Sequence, residues 1–176
     1  MLFKDTPITG VKVIEPETHN DQRGFFARLF CPHEFAAAGV DFIPQQMSMS
    51  HNIARYSLRG MHYCTVRESK IVRCMRGRML DVLFDIRSGS PSFLKSYGIE
   101  LDADHARSIY VPPGVAHGFI TLEDNTDVLY NMDRIYNDKY DAGLRWNDPA
   151  INFKWPVNPL VINNRDNNYP DFIIKN

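Results

Sequence analysis

The sequence is short of the features that define several protein classes. Its 176 residues include three cysteines, Cys31, Cys64 and Cys74, an odd number without CxxC spacing. That argues against a disulfide framework or a cysteine zinc site and for a reducing compartment. No apolar run reaches the length of a membrane span. The opening residues Met1-Leu2-Phe3-Lys4-Asp5-Thr6-Pro7 lack an apolar core of signal-peptide length, so a cytoplasmic protein with no membrane partner is expected. Basic blocks are missing too, and the formal net charge is −1, so nucleic acid is not an expected partner. Internal repeats, linkers and low-complexity segments are absent. What is present, 44% hydrophobic and 23% charged residues, matches an ordinary globular chain. At this length it reads as one domain over residues 1–176, able to bury a core without disulfides or metal. The basic residues stand singly among apolar stretches, which suits a small anionic ligand.

Short alternating segments dominate the pattern. Val11 to Glu15 is a strand closed by Pro16, and the turn Asp21-Gln22-Arg23-Gly24 leads into a strand-like run, Phe25 to Phe30. Pro32 to Ala38, with Pro at its start and Gly39 as its stop, is the clearest helix, and it is short. Gln45 to Ser50 alternates toward a loop at His51 to Tyr56. Lys70 to Met75, the turn Arg76-Gly77-Arg78 and Met79 to Ile86 read as a hairpin. Further strands follow at Tyr97 to Leu101, Ser108 to Val111, Gly118 to Leu122 and Asp127 to Met132. Many short strands with little helix predict an all-β fold, a jelly-roll barrel or sandwich. Beyond Trp146 the chain turns irregular, but Trp155, Tyr169 and Phe172 around the polar run Asn163 to Asn168 favour a packed extension over a loose tail.

The chemistry gathers in Leu58-Arg59-Gly60-Met61-His62-Tyr63, where a guanidinium, a glycine, an imidazole and a phenol share an apolar, strand-like run. A second histidine, His117, follows the Pro113-Gly114 turn at a strand start. Strand ends lie at the mouths of a barrel, so His62, Lys70, His117 and Tyr130 can line one cavity. Two histidines without a facing carboxylate and a second adjacent histidine make a poor transition-metal set, so no metal is expected. Taken singly, Tyr130 reads as a core phenol, Lys70 as a strand surface residue and Asp166 as a turn cap.

Their order along the chain makes them a set. Asp21-x-Arg23-Gly24-x-Phe26, Leu58-Arg59-Gly60-Met61-His62-Tyr63, Lys70-Ile71-Val72-Arg73, Asp81-Val82 with Asp85-Ile86-Arg87, Pro113-Gly114-x-Ala116-His117-Gly118-Phe119, Tyr130, Trp146-Asn147-Asp148-Pro149 and Trp155-Pro156 together resemble the dTDP-4-dehydrorhamnose 3,5-epimerase family, over about residues 8 to 172. The resemblance implies a cupin-type jelly roll that pairs as a homodimer and works without a metal or cofactor. It also implies a nucleotide-diphosphate sugar as substrate.

A 4-keto sugar acidifies its C3 and C5 hydrogens, and inversion needs a base, an acid on the opposite face and a holder for the enolate oxygen. The resemblance gives these roles to His62 as base, Asp166 as its carboxylate partner, Tyr130 as acid and Lys70 at the enolate. It assigns ligand contacts to Arg23, Arg59, Arg165 and His117, and nucleobase stacking to Tyr136. Departures fall around recognition. Arg28 replaces a common Glu, Pro44 and Gln46 replace Gln and Asn, Asp141 stands for Glu, Cys64 for Gln, and Arg165 for a frequent Lys. Arg28, Gln46 and Asp141 are therefore candidate substrate-binding residues too. The expected activity is cofactor-independent epimerisation at C3, C5 or both of a nucleotide-activated 4-keto-6-deoxy sugar, in deoxysugar or surface-polysaccharide biosynthesis. The nucleotide, the sugar and any strand exchange between subunits stay open. The alternatives are a nucleotide-sugar 3,4-ketoisomerase and a non-catalytic sugar-nucleotide-binding jelly roll.

Overall fold

A computed structural model describes residues 1–174. Its strands in chain order are β1 (Leu2–Asp5), β2 (Lys12–Glu15), β3 (Thr18–Asp21), β4 (Gly24–Ala27), β5 (Gln46–Asn52), β6 (Ser57–Cys64), β7 (Lys70–Arg76), β8 (Arg78–Asp85), β9 (Ser96–Asp102), β10 (Ser108–Val111), β11 (Val115–Thr121), β12 (Thr126–Met132), β13 (Asp141–Gly143) and β14 (Val161–Ile162). Two short helices complete it, α1 (Pro32–Ala37) and α2 (Asn164–Asn167). One sheet has the order β1-β2-β10-β7-β12-β5 and the other β13-β6-β11-β8-β9, with β14 parallel to β6. From β5 to β8, and again from β9 to β12, the chain changes sheet at every connection, and this alternation makes the jelly roll. Among the described residues no helix is long and apolar enough to cross a membrane.

Alternation along each strand decides what faces inward. Val72 and Cys74 of β7, Val128 of β12, Met79 and Leu83 of β8 and Phe119 of β11 meet between the sheets in one buried cluster. The opposite face of the first sheet is covered by α1, with Phe35 packed on Ile14, Ile71 and Tyr110. The opposite face of the second is covered by the chain after β13, with Leu144, Ile151, Phe153, Trp155 and Phe172 against Met61, Val82, Phe84 and Ala116. Burying one such side chain contributes about 1.5–3 kcal/mol. The irregular segment beyond Trp146 is thus a packed extension, as its aromatic residues predict.

The expected β7–β8 hairpin does not form. β7 pairs with β10 and β12, and β8 with β11 and β9, so Arg76-Gly77-Arg78 is an arch that carries the chain from one sheet to the other. Val72 and Cys74 then face Met79 and Leu83 across the core instead of lying beside them on one surface. The turn residues do not separate the two outcomes, because an arch needs the same positive φ at Gly77, +74° here, that a tight hairpin turn needs. Two other expectations shift. β5 runs on to Asn52, into the expected loop, and β11 starts at Val115, which sets His117 inside the strand. β1, β3, β13, β14 and α2 have no counterpart among the sequence expectations.

One irregularity positions the site. His117 pairs with His62 and Phe119 with Arg59, so two residues of β6, Gly60 and Met61, oppose Gly118 alone. This is a β-bulge. Residues three apart on a regular strand face opposite ways, and the extra residue turns both Arg59 and His62 inward. Gly60 permits it: its φ is +114°, and a Cβ there would lie 2.6 Å from Gly118 Cα.

Candidate active site

At the end of the barrel where β5, β7 and β12 meet β6 and β11, the core opens into a cavity of about 400 Å³. Gln46, Ser48 and Ser50 reach it from β5, Lys70 from β7, Tyr130 and Met132 from β12. Arg59 and His62 come from β6, and His117 and Phe119 from β11. Glu68, Tyr136, Asp141 and Arg165 complete the rim. Among the described residues, no group of three or more His, Cys, Asp or Glu side chains could hold a metal ion.

His62 is the best-anchored group. Its Nε2–H donates to Asp166 Oδ1 at 2.9 Å, and Asp166 Oδ2 accepts the Gly60 N–H at 2.9 Å. Asp166 is fully buried in α2, whose start is capped by Asn163 Oδ1 accepting the Asp166 N–H at 2.6 Å. β14 steers this helix into place by pairing Val161 with Ser57 and Ile162 with Leu58. Burial pushes the Asp166 carboxyl up, but the hydrogen bond and charge of His62, the Gly60 N–H and Arg165 outweigh it and hold the group below the usual carboxylate range. A carboxylate can only accept, so the imidazole carries its proton on Nε2 and presents the Nδ1 lone pair. An imidazole held this way can take a proton and have its positive charge stabilised from behind.

Tyr130 belongs to the facing sheet. Its hydroxyl lies 3.1 Å from Ser50 Oγ, and its ring packs near His117 and Phe119. Burial raises its pKa, so the phenol keeps its proton. Lys70, with its side chain 19% exposed, has the Glu68 carboxylate 3.3 Å from its ammonium. His117 is buried, and its Nδ1 lies 3.5 Å from the fully buried Asp81. Burial lowers the His117 pKa against the opposing pull of Asp81, which favours the neutral ring near pH 7.

At the outer rim, Gln46 Oε1 accepts the Tyr136 N–H at 2.8 Å, and Asp141 accepts from Arg165 at 2.8 Å. The Arg165 guanidinium also lies over the Tyr169 ring at 5.8 Å, and Tyr136 is 54% exposed. Arg59 donates to Asn52 at 2.7 Å.

The cavity thus gathers His62, Lys70, Tyr130, Gln46, Arg59, His117, Tyr136, Asp141 and Arg165, with Asp166 directly behind His62. It does not gather Arg23 or Arg28. Arg23 sits at the exposed tip of the β3–β4 hairpin, paired with Asp21, and Arg28 pairs with Glu34 of α1 at 2.8 Å. Two carboxylates at the site have no role among the sequence expectations, Glu68 on the cavity wall and Asp81 buried behind His117. Asp81 has a local signal, since it shares the inward parity of Met79 and Leu83 and stands between these two apolar residues. Glu68 lies outside any strand, and its one clue is its position two residues before Lys70.

Comparisons with known proteins agree with this geometry. The profile described as dTDP-4-dehydrorhamnose 3,5-epimerase matches residues 5–173. The chain is 35% identical over 173 residues to the dTDP-4-dehydrorhamnose 3,5-epimerase of Methanothermobacter thermautotrophicus, covering 95% of this chain and 92% of that one. Among solved structures, the dTDP-4-dehydrorhamnose 3,5-epimerase of Bacillus anthracis with TDP and PPi bound superposes with a TM-score of 0.93 at 32% identity, covering 97% of this chain and 99% of that one. ChmJ, a 3′-monoepimerase from Streptomyces bikiniensis in complex with dTDP-quinovose, gives 0.86 at 31% identity, covering 93% and 84%.

Proposed function

The chain belongs to the dTDP-4-dehydrorhamnose 3,5-epimerase family and is an isomerase, and from that premise we propose a mechanism in which His62 inverts carbon next to the ketone of a dTDP-4-keto-6-deoxy sugar. The His62–Asp166 pair is the observation that carries it. His62 Nδ1 takes the proton from the carbon beside the carbonyl. The C–H electrons form a C=C bond, and the carbonyl oxygen becomes an enolate held by the Lys70 ammonium. The Tyr130 hydroxyl returns a proton to the opposite face, and solvent re-equilibrates both groups. The step is redox-neutral, since one proton leaves and one arrives, so the reading calls for no redox cofactor. Asp166 stabilises the imidazolium formed in the first transfer. The neutral, buried His117 is a fitting neighbour for the sugar, because it adds a hydrogen-bonding ring without a second full charge.

Arg59 and Arg165 suit the diphosphate, and the half-exposed Tyr136 ring suits a nucleobase. Arg23 and Arg28 serve a site only through a second copy of the chain, and a homodimer is part of this reading. Its support is apolar surface that a lone chain leaves bare. Phe26 is 73% exposed beside Arg23, and Met47 and Met49 are 66% and 63% exposed on β5, an edge strand with one free side. Light scattering on the purified protein should give twice the chain mass, and a monomer would remove Arg23 and Arg28 from the site.

The reaction is tested by incubating the protein with dTDP-4-keto-6-deoxyglucose in heavy water and following C3 and C5 by proton NMR. Deuterium uptake with inversion at both carbons is the expected result. Uptake at C3 alone would make the protein a monoepimerase like ChmJ, relocation of the ketone would make it a ketoisomerase, and no uptake with any nucleotide 4-keto sugar would refute the mechanism.

A further inference from the structure

The acid–base reading gives no task to Glu68, a charged residue of the cavity lining. Glu68 lies in the link between β6 and β7, next to Ser69, which is fully buried. The Ser69 N–H donates to Asp133 Oδ1 at 2.7 Å, its carbonyl accepts the Asp133 N–H at 3.2 Å, and its hydroxyl accepts from Tyr110 at 3.2 Å. With Ser69 pinned, its two neighbours Glu68 and Lys70 both turn into the cavity. Arg67 turns outward to Asp41 and Asp133 with its side chain 63% exposed. The Glu68 side chain is only 8% exposed, and among the described residues Lys70 is its sole polar partner. A carboxylate has about four acceptor positions, and a ligand that displaces cavity water from one with few protein donors is costly to bind unless it replaces those hydrogen bonds. Whatever fills the cavity must bring a donor to it.

We propose that Glu68 is a specificity-determining residue that accepts a hydrogen bond from the sugar hydroxyl on the carbon next to the ketone. The inference rests on the epimerase reading for the identity of that ketone. Lys70 and Glu68, 3.3 Å apart, then meet the oxygens on two neighbouring ring carbons side by side. The ammonium faces the carbonyl oxygen, which gains negative charge, and the carboxylate faces the hydroxyl, which offers a proton. The charges match an α-hydroxyketone edge in this order only. A ligand with no hydroxyl at that carbon leaves Glu68 short of donors, and one with a carboxylate there is repelled.

The test measures binding, so that it does not depend on turnover. Affinities of dTDP-6-deoxyglucose and its 3-deoxy analogue are determined by calorimetry for the unaltered protein, Glu68→Gln and Glu68→Ala, with melting temperatures as a folding control. The unaltered protein should favour the 3-hydroxy ligand by roughly 10- to 100-fold, the range of a hydrogen bond to a charged group. Glu68→Ala should erase that preference and bind the 3-deoxy ligand at least as well as before, with the isosteric Glu68→Gln in between. Equal weakening of both ligands would show that Glu68 acts only by holding Lys70, and no preference in the unaltered protein would equally overturn the proposal. Should Glu68→Ala fail to fold, the ratio measured with Glu68→Gln decides. A preserved preference in a protein that takes up no deuterium would refute the epimerase mechanism and leave the hydroxyl contact standing.

Discussion

Asp166→Asn is the sharpest perturbation of the proposed base. The carboxylate accepts from both His62 Nε2 and Gly60 N, at 2.9 Å each, inside a fully buried site. An asparagine of the same shape has one acceptor and one donor end. With its oxygen on the Gly60 N–H, its amide donates to His62 Nε2 and moves the imidazole proton to Nδ1, which blocks the nitrogen that must accept. Turned the other way, it sets two buried donors against each other at Gly60, a loss of about 1–3 kcal/mol. Either way the imidazolium formed during reaction loses the negative charge behind it. The expected loss is about 10²–10⁴-fold in kcat, the usual range for general base catalysis, with KM little changed. The assay is the initial rate of deuterium uptake over a range of substrate concentrations, with calorimetric binding of dTDP as a control for an intact pocket. The variant should also flatten an acid-dependent term in stability. The Asp166 pKa is depressed on folding, so its contribution is present above the ordinary carboxylate range and lost as pH falls through the lower folded value. Unchanged kcat, or a loss confined to KM, would refute the base assignment.

Tyr130→Phe should separate the two proton transfers: exchange at the original face by His62 persists, while inversion drops by about 10²-fold or more, and NMR reads both in one sample. Gly60→Ala should destabilise the fold by at least about 1–3 kcal/mol in urea unfolding, because its φ of +114° is strained for any side chain and its methyl would meet Gly118. Asp85 is a structural counterpart. Burial pushes it up, but hydrogen bonds from Arg87, Ser90 and Ser92 bring its pKa down to about 2. Its contribution of about 2 kcal/mol is present above about pH 4 and lost as pH falls toward 2, so Asp85→Asn should reduce stability at pH 7 by about 1 kcal/mol more than at pH 3, and by about 2 kcal/mol more than at pH 2.

Much of this site was legible where strands are regular. Lys70 shares its parity with Val72 and Cys74, and Tyr130 with Val128 and Met132, so alternation alone directs both inward. Arg59 and His62 are different. Three residues apart, they fall on opposite faces of any ideal strand, and only the bulge at Gly60 reconciles them. Asp166 was accessible solely by resemblance, since α2 has four residues and no periodicity can appear in so short a segment. Arg76-Gly77-Arg78 reads as a hairpin turn in the sequence because local turn chemistry fixes the reversal of the chain and leaves the choice of sheet to long-range packing. Arg23 and Arg28 were assigned to the ligand, yet a single chain keeps them on its exterior.

The position of Asp166 also bears on how the protein acquires activity. It is separated from His62 by 104 residues and arrives on α2, which follows β14 at the side of β6. Contacts so distant in sequence carry a large loop-closure entropy, and Asp166 leaves the ribosome well after His62. The barrel can therefore close around the cavity before His62 has its counter-charge. On refolding, β-sheet circular dichroism should return ahead of turnover, with the interval reporting the docking of α2.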